Sequence, residues 1–220
     1  MTRKSIAAAT LSLALAPAAF AANTITVVTP GLNSTANAMR VNLDDTSNNV
    51  YVETQEPNGE THYKIRFWVD PTSLATLAPN TSIRIGAVNS TAHGQRLVFF
   101  LRHDAPGSTP QFQVNAWGLQ DTGEPANYTF LRGVNIGPVS GAVPNQIEIE
   151  WTRSQGSGQN NAVFRIRRIT PGNVGVDQIL SNLTMFNFLV DDARFGVLAG
   201  SGTNMLSAGS YKFDEFESYR

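Results

Sequence analysis

The stretches RFGVLAG at positions 194–200 and GSYKFDEFESYR at positions 209–220 decide the expected fold. In both, apolar and polar residues alternate, which is the period-two pattern of a half-buried β-strand. A segment rich in Gly, Ser and Asn separates them. A strand at a chain end is ordered only when it is paired within a sheet. We therefore expect the closing hairpin of an all-β domain here, with no further module after it.

The same alternation recurs along most of the chain. The segments that fit a strand are residues 24–29, 38–43, 49–54, 61–69, 81–89, 95–103, 111–119, 127–132, 146–153, 162–169, 193–199 and 210–219. Turn-forming residues separate them, including Pro57-Asn58-Gly59, and only residues 73–77 suggest a helical turn. Many short strands with such spacers predict a sandwich or a barrel.

Residues 1–21 have the features of a secretory signal peptide. Arg3 and Lys4 precede an apolar run, and Ala19-Phe20-Ala21 offers small residues at the positions that a signal peptidase reads. The run is shorter than the roughly 20 apolar residues that span a bilayer. We expect a secreted protein, periplasmic or extracellular, whose residues 22–220 form one domain.

Charge and cysteine content limit the classes of partner. Without Arg3 and Lys4, the 16 Lys and Arg residues fall to 14, against 17 Asp and Glu. This mildly acidic balance argues against nucleic acid or an anionic membrane as the main partner. The chain has no cysteine, so a core alone must stabilise it. A chain of about 200 residues can do so, because it buries roughly 70% of its unfolded surface.

One hairpin can be read in register. Pairing Ile149 with Ile166 puts Trp151 opposite Phe164, which predicts a core-facing side. The other side then carries two ion pairs, Glu150 with Arg165 and Glu148 with Arg167. We interpret these pairs as a ladder on an exposed sheet face; the competing interpretation is that Glu148 and Glu150 are catalytic carboxylates.

A second hairpin joins residues 96–102 and 112–118. Pairing His103 with Gln111 predicts that Val98 and Phe100 face the core, while Phe99 and Leu101 lie on the opposite side. On strand 61–69 the polar side carries His62, Lys64, Arg66 and Trp68.

Several of these segments together resemble the concanavalin A-like, laminin-G-like jelly rolls. They are residues 63–70, 96–102, 147–151, 194–196 and 213–216, and their order is similar to that in bacterial secreted members of this superfamily. The resemblance implies two stacked antiparallel sheets, with ligands bound on a concave face. It does not fix the function, because the superfamily includes lectins, carbohydrate-binding modules, glycosidases, polysaccharide lyases and adhesive modules.

The catalytic patterns of this superfamily are mostly missing. Its glucanases use Glu-x-Asp-x-x-Glu, which the chain lacks, and Gln146-Ile147-Glu148 has Glu where lyases with a Gln-x-His motif require His. The acidic group Asp214, Glu215 and Glu217 is interpreted as the surface of a solvated strand. No zinc site is expected and no other cofactor, although calcium could bind through loop carboxylates. The candidates are Asp70, Asp104, Asp191 and Asp192.

The remaining signal points to sugar. Trp68 and Trp117 would provide stacking platforms, and polar side chains beside them would bind hydroxyl groups. The predicted ligand-binding residues are Arg66, Trp68, His103, Gln113, Asn115 and Trp117. We therefore predict a non-catalytic carbohydrate-binding protein. The first alternative is a structural or adhesive subunit of an extracellular assembly or matrix, for which a homo-oligomer is one form. The second is an atypical polysaccharide-degrading enzyme.

Overall fold

A computed structural model describes residues 22–44, 48–71, 73, 81–91, 94–103, 111–116, 134–135, 145–169, 177–183, 185–186, 188–198 and 209–220. For residues 57–58, 81, 94–96, 103, 111–116 and 134–135 it describes the backbone alone. The predicted signal peptide, the strand predicted at 127–132 and nearly all of the helical turn predicted at 73–77 lie outside these residues.

The described residues form two antiparallel sheets, which confirms the predicted all-β jelly-roll sandwich. The strands are β1 Thr24–Val28, β2 Ala38–Leu43, β3 Val50–Glu60, β4 His62–Asp70, β5 Thr81–Ser90, β6 Gly94–His103, β7 Gln111–Ala116, β8 Val134–Asn135, β9 Asn145–Thr152, β10 Ala162–Ile169, β11 Asp177–Leu183, β12 Val190–Val197 and β13 Gly209–Tyr219. Within the described chain, one sheet has seven strands in the order β1-β2-β13-β4-β9-β10-β11, and the other has six in the order β3-β12-β5-β6-β7-β8.

The core lies between the two sheets. The ring centroids of Phe67 on β4 and Phe195 on β12 lie 4.8 Å apart, so these strands meet face to face. Trp151 on β9 packs edge-on against Phe188, with ring centroids 5.0 Å apart. These aromatic residues are all buried, as the one-sided apolar pattern of their strands requires.

The hairpin of β9 and β10 has the predicted register. Ile149 lies opposite Ile166, and Trp151 lies opposite Phe164. The two ion-pair positions also match: Glu150 lies opposite Arg165, and Glu148 opposite Arg167. A hairpin with one apolar and one charged side favours a single register, because a slip by one residue would turn the charged side chains towards the core.

The predicted closing hairpin is wrong. Both of its strands exist, but β12 belongs to the six-stranded sheet and β13 to the seven-stranded sheet. They face each other across the core, where the Tyr211 hydroxyl donates a 2.6 Å hydrogen bond to the Gly196 carbonyl. Side-by-side pairing would leave these two apolar faces on one side of one sheet, whereas face-to-face stacking buries them against each other.

The sides of β6 were also predicted the wrong way round. Leu97, Phe99 and Leu101 belong to the buried core cluster, and Phe100 is only partly buried. The register differs by one residue from the predicted one, because Arg102 rather than His103 lies opposite Gln111. The predicted turn at residues 57–59 lies within β3, where the register with β12 skips from Gln55 to Glu60. No helix among the described residues is long and apolar enough to cross a membrane.

Candidate functional site

The outer side of the seven-stranded sheet carries a dense group of charged side chains. The inner residues of β4, such as Ile65 and Phe67, are buried in the core, so the alternate residues point outward. We call this outer side the charged face. Its residues are His62, Lys64 and Arg66 on β4, Glu148 and Glu150 on β9, Arg165 and Arg167 on β10, and Glu217 and Tyr219 on β13.

Glu148 lies at the centre of the charged face and is only 1% exposed. Arg66 donates to its Oε2 from Nη2 at 2.8 Å and from Nε at 3.2 Å, and the Lys64 ammonium lies 3.1 Å from the same oxygen. Arg167 donates to Oε1 from the other side. Strand order explains this convergence, because Arg66 and Arg167 lie directly opposite Glu148 on the two flanking strands. The sequence predicted an exposed ladder of ion pairs here. The structure instead has a buried carboxylate, that of Glu148, which three cations contact.

A hydrogen-bonded pair and a further ion pair flank this centre. The imidazole Nε2 of His62 lies 3.1 Å from a carboxylate oxygen of Glu150. Arg165 forms a bidentate pair with Asp177 on β11, and this hydrogen bonding lowers the pKa of Asp177. The second pair holds Arg165 against the edge strand, away from Glu148, and so the two arginines of β10 have different partners.

Tyr219 borders the same cluster on the β13 side. Its phenol is 41% exposed and donates a hydrogen bond to the Glu217 carboxylate, which raises the pKa of Tyr219. The Lys64 ammonium and the Arg66 guanidinium lie 5.9 Å and 5.8 Å from its ring centroid. The site therefore places an exposed, protonated phenol next to two cations.

Trp68 is not an open stacking platform. It is 4% exposed and packs in a small cluster with Leu32 and Ala38, under the loop that joins β1 to β2. Asp214 holds this loop, because its Oδ2 accepts a 2.9 Å hydrogen bond from the Leu32 amide and another from the Thr35 hydroxyl. Asp214 was interpreted as solvated surface, but it has this specific structural role.

The structure does not bring the predicted sugar-binding residues together. Arg66 and Trp68 belong to the seven-stranded sheet, whereas the backbones of His103, Gln113 and Asn115 belong to β6 and β7 of the six-stranded sheet. These two groups cannot share one sheet face. The side chains of the second group, and Trp117 entirely, lie outside the described residues. Of the predicted set, Arg66 alone is seen on the charged face.

The candidate calcium ligands Asp191 and Asp192 have protein partners. Asp191 accepts a 2.5 Å hydrogen bond from the Thr91 amide, and Asp192 accepts one from the Asn89 side chain. Asp104 lies outside the described residues. Within the described parts of the chain, no three His, Cys, Asp or Glu side chains are grouped to hold a metal ion. Calcium binding stays a prediction.

Sequence reasoning missed Lys64, Arg167 and Tyr219 as site residues. A signal for two of them was present: Lys64 was already placed on the polar side of its strand, and Arg167 was already paired with Glu148. What the sequence lacked was the strand order, in which β4 lies between β13 and β9 and so brings together residues more than 80 positions apart, such as Arg66 and Glu148.

Comparisons with known proteins identify the fold. No protein-family model and no curated protein sequence matches the chain. Solved structures do match, and three polysaccharide lyases are among them. An endo-β-1,4-glucuronan lyase from the fungus Trichoderma reesei aligns with a TM-score of 0.58 and 13% identity, over 89% of this chain and 86% of that one. An alginate lyase from Aplysia kurodai aligns with a TM-score of 0.59 and 13% identity, over 89% of this chain and 86% of that one. An alginate lyase from Chlorella virus aligns with a TM-score of 0.59 and 11% identity, over 89% of this chain and 88% of that one.

These neighbours overturn the main functional prediction. They are enzymes that act on polysaccharides, not non-catalytic sugar-binding modules. The second alternative, an atypical polysaccharide-degrading enzyme, therefore replaces the non-catalytic protein as the hypothesis to test. The bacterial origin implied by the resemblance stays a prediction. At this level of identity the comparisons show one thing, that the chain has the jelly-roll sandwich fold of these polysaccharide lyases.

Proposed function

We propose that the protein is a secreted lyase that cleaves carboxylate-bearing polysaccharides by β-elimination, with the charged face as its active site. The observation that carries the proposal is the position of Lys64 and Arg66 beside the exposed phenol of Tyr219. Residues 1–21 are the proposed export signal. Fold likeness to glucuronan and alginate lyases supports the reaction class, since both polymers are polyuronates with a carboxylate on every sugar.

Elimination from a uronate makes three chemical demands. Hydrogen-bond donors must neutralise the sugar carboxylate, so that the neighbouring carbon can lose its proton. A base must take that proton, and an acid must protonate the leaving oxygen. The electron pair of the broken C–H bond becomes the C=C bond as the C–O bond breaks.

Lys64 and Arg66 meet the first demand. Their side chains are 23% and 31% exposed, so their outer N–H groups face solvent while the inner ones contact Glu148. Arginine has five N–H donors and lysine has three, which leaves donors for a substrate carboxylate. A guanidinium also suits planar, bidentate recognition of a carboxylate.

Tyr219 is the proposed acid. A phenol is protonated at neutral pH, as a proton donor to the leaving oxygen requires, and the Tyr219 phenol is exposed beside Lys64 and Arg66. His62 is the proposed base. When its Nε2–H donates to Glu150, the other ring nitrogen carries a free lone pair that can accept a proton. Both residues flank Lys64: His62 lies two positions away on β4, and Tyr219 lies directly opposite on β13.

Hydrolysis is less well supported. A glycosidase needs two carboxyl groups that reach the scissile bond. Glu148 is 1% exposed, and both of its oxygens already accept hydrogen bonds from cations, so it cannot contact a sugar. The other two carboxylates of the charged face already contact a neighbour, Glu150 the His62 imidazole and Glu217 the Tyr219 phenol.

The test is an assay of the purified protein on alginate and glucuronan, with cellulose and starch as neutral comparisons. Elimination creates an unsaturated sugar that absorbs ultraviolet light, whereas hydrolysis creates reducing ends without it. We expect ultraviolet product from at least one polyuronate and none from the neutral polymers. Tyr219→Phe should lower kcat by roughly 100-fold or more.

Tyr51→Phe is the matched control. Tyr51 is a 38% exposed tyrosine stacked with Arg194, at 5.0 Å, on the other sheet, so its substitution should leave kcat unchanged. Reducing ends without ultraviolet product would show a hydrolase and refute the proposal. So would full activity of Tyr219→Phe, or no cleavage of either polyuronate.

A further inference from the structure

The buried carboxylate of Glu148 has a charge environment that a structural ion pair does not need. A single cation would neutralise it, yet three surround it: Lys64, Arg66 and Arg167, which we call the cation cluster. Burying a charge is costly, and replacing a buried ion pair with apolar residues is often neutral or stabilising. The surplus of positive charge therefore calls for a reason other than stability.

Contacts with Glu148 fix the charged end of each side chain in the cation cluster. Oε2 of Glu148 receives Nε and Nη2 of Arg66 at 3.2 Å and 2.8 Å, and Nζ of Lys64 at 3.1 Å. Oε1 receives Arg167. Lysine and arginine side chains lose much rotamer freedom when they are held in this way. Without such a partner, each would move freely over the sheet surface.

The outer side of the same cluster remains accessible. The Lys64, Arg66 and Arg167 side chains are 23%, 31% and 30% exposed. The Nη1 atom of Arg66 lies 3.8 Å from Glu217, which is beyond hydrogen-bond distance. Each cation thus contacts the buried Glu148 while part of its side chain stays exposed to solvent.

We propose that Glu148 is a positioning residue, which holds the cation cluster in the arrangement that binds and neutralises the carboxylate of the reacting sugar. It is not a catalytic residue, because at 1% exposure it touches no substrate. The inference rests on the proposed function for its substrate. Lyases with a Gln-x-His motif have a histidine at the third position, where Gln146-Ile147-Glu148 has Glu148. In this proposal Glu148 holds other side chains in place and does not itself contact the sugar.

The Glu148→Gln variant tests whether Glu148 acts by holding the cation cluster in place or only through its negative charge. The substitution keeps the size of the side chain but removes its negative charge, so the face becomes more positive. One of the two oxygens that accept from the cations is replaced by an NH2 group, which is a donor. We expect affinity for an alginate trisaccharide to be retained or tighter at low salt, and to fall more steeply as salt is added. We expect kcat to fall about 100-fold, as misplacement by about 1 Å can cause. Glu148→Asp retains the charge and should give an intermediate kcat.

The matched control is Glu53→Gln. Glu53 holds Arg194 on the six-stranded sheet, with 2.7 Å between its Oε2 and the arginine Nε. The substitution removes one carboxylate from an arginine pair of the same chemistry, away from the charged face. We expect kcat, trisaccharide affinity and its salt dependence to stay at the wild-type values.

An NMR measurement tests the positioning role without activity. The Nε–H proton of Arg66 should exchange slowly with water in the wild type and in Glu53→Gln, and quickly in Glu148→Gln.

A wild-type protein that cleaves no polyuronate refutes the proposed function, while the exchange rate of this proton still tests the role of Glu148. Wild-type kcat and wild-type exchange in Glu148→Gln would overturn the inference. Loss of the acid limb of the kcat–pH profile in that variant would also overturn it, because it would make Glu148 the base. If Glu148→Gln does not fold, the same readouts apply to Glu148→Asp, and wild-type values there refute the inference.

Discussion

Removal of the Asp214 carboxylate should release the β1–β2 loop and expose Trp68. Asp214 accepts two hydrogen bonds from this loop, from the Leu32 amide at 2.9 Å and from the Thr35 hydroxyl. A hydrogen bond to a charged group is worth about 1.5–3 kcal/mol. Because both bonds are partly exposed, we take the lower end and expect Asp214→Ala to cost about 3 kcal/mol. At about 2–4 °C per kcal/mol for a domain of this size, Tm should fall by roughly 6–12 °C.

The assay combines thermal unfolding with quenching of tryptophan fluorescence by acrylamide. Asp214→Ala should make one tryptophan accessible, and the double variant with Trp68→Phe should lack that accessible signal. Glu215→Gln is the control, because its carboxylate meets the loop only through a 3.5 Å exposed contact with Asn33. We expect that control to change stability by less than about 0.5 kcal/mol. An unchanged Tm and unchanged quenching in Asp214→Ala would refute the role of Asp214.

Two further predictions concern the six-stranded sheet. Gly196→Ala should destabilise the protein by roughly 3–5 kcal/mol in urea unfolding, because the new Cβ would lie 2.1 Å from the Val50 carbonyl oxygen at a φ of +142°. Gly158→Ala, also at positive φ but with open space around the Cβ, should cost only about 1 kcal/mol. The hydrogen bond from Arg194 lowers the pKa of Glu53, so this pair stabilises the folded state above pH 4.5 and the stabilisation is lost as pH falls through the folded-state pKa. Urea unfolding across this pH range should show that Glu53→Gln loses less stability than the wild type as pH falls. Equal losses in the two proteins would contradict the stabilising role of this pair.

The part of the fold that could be predicted from sequence is the hairpin whose two strands have sides of clearly different character. In the β9–β10 hairpin, one side is apolar and the other alternates Glu with Arg, so one register satisfies both sides. The register of β6 with β7 was missed by one residue because β6 is apolar on both sides. Leu97, Phe99 and Leu101 on one side and Val98 and Phe100 on the other give no period-two signal that selects the core face.

Neighbours in sequence are not always neighbours in a sheet, and β12 and β13 show why. Each strand has its own alternating pattern, which correctly predicts a strand with one buried side. The pattern does not say whether the two strands lie side by side in one sheet or face each other, because alternation within a strand shows only that one of its sides is buried. In this structure Phe195 and Phe213 belong to opposite sheets, with ring centroids 6.3 Å apart.

The same limit explains why the hairpin pattern did not predict that Glu148 is buried. The hairpin register alone gives Glu148 one cation, Arg167, and one ion pair on an exposed strand is ordinary surface. The insertion of β4 on the other side of β9 adds Arg66 and Lys64, and only then does the carboxylate become buried. Its burial is therefore a property of strand order, which no local pattern encodes. A charged residue that looks neutralised within its own hairpin can still be the centre of a site, because the sheet supplies partners that the hairpin lacks.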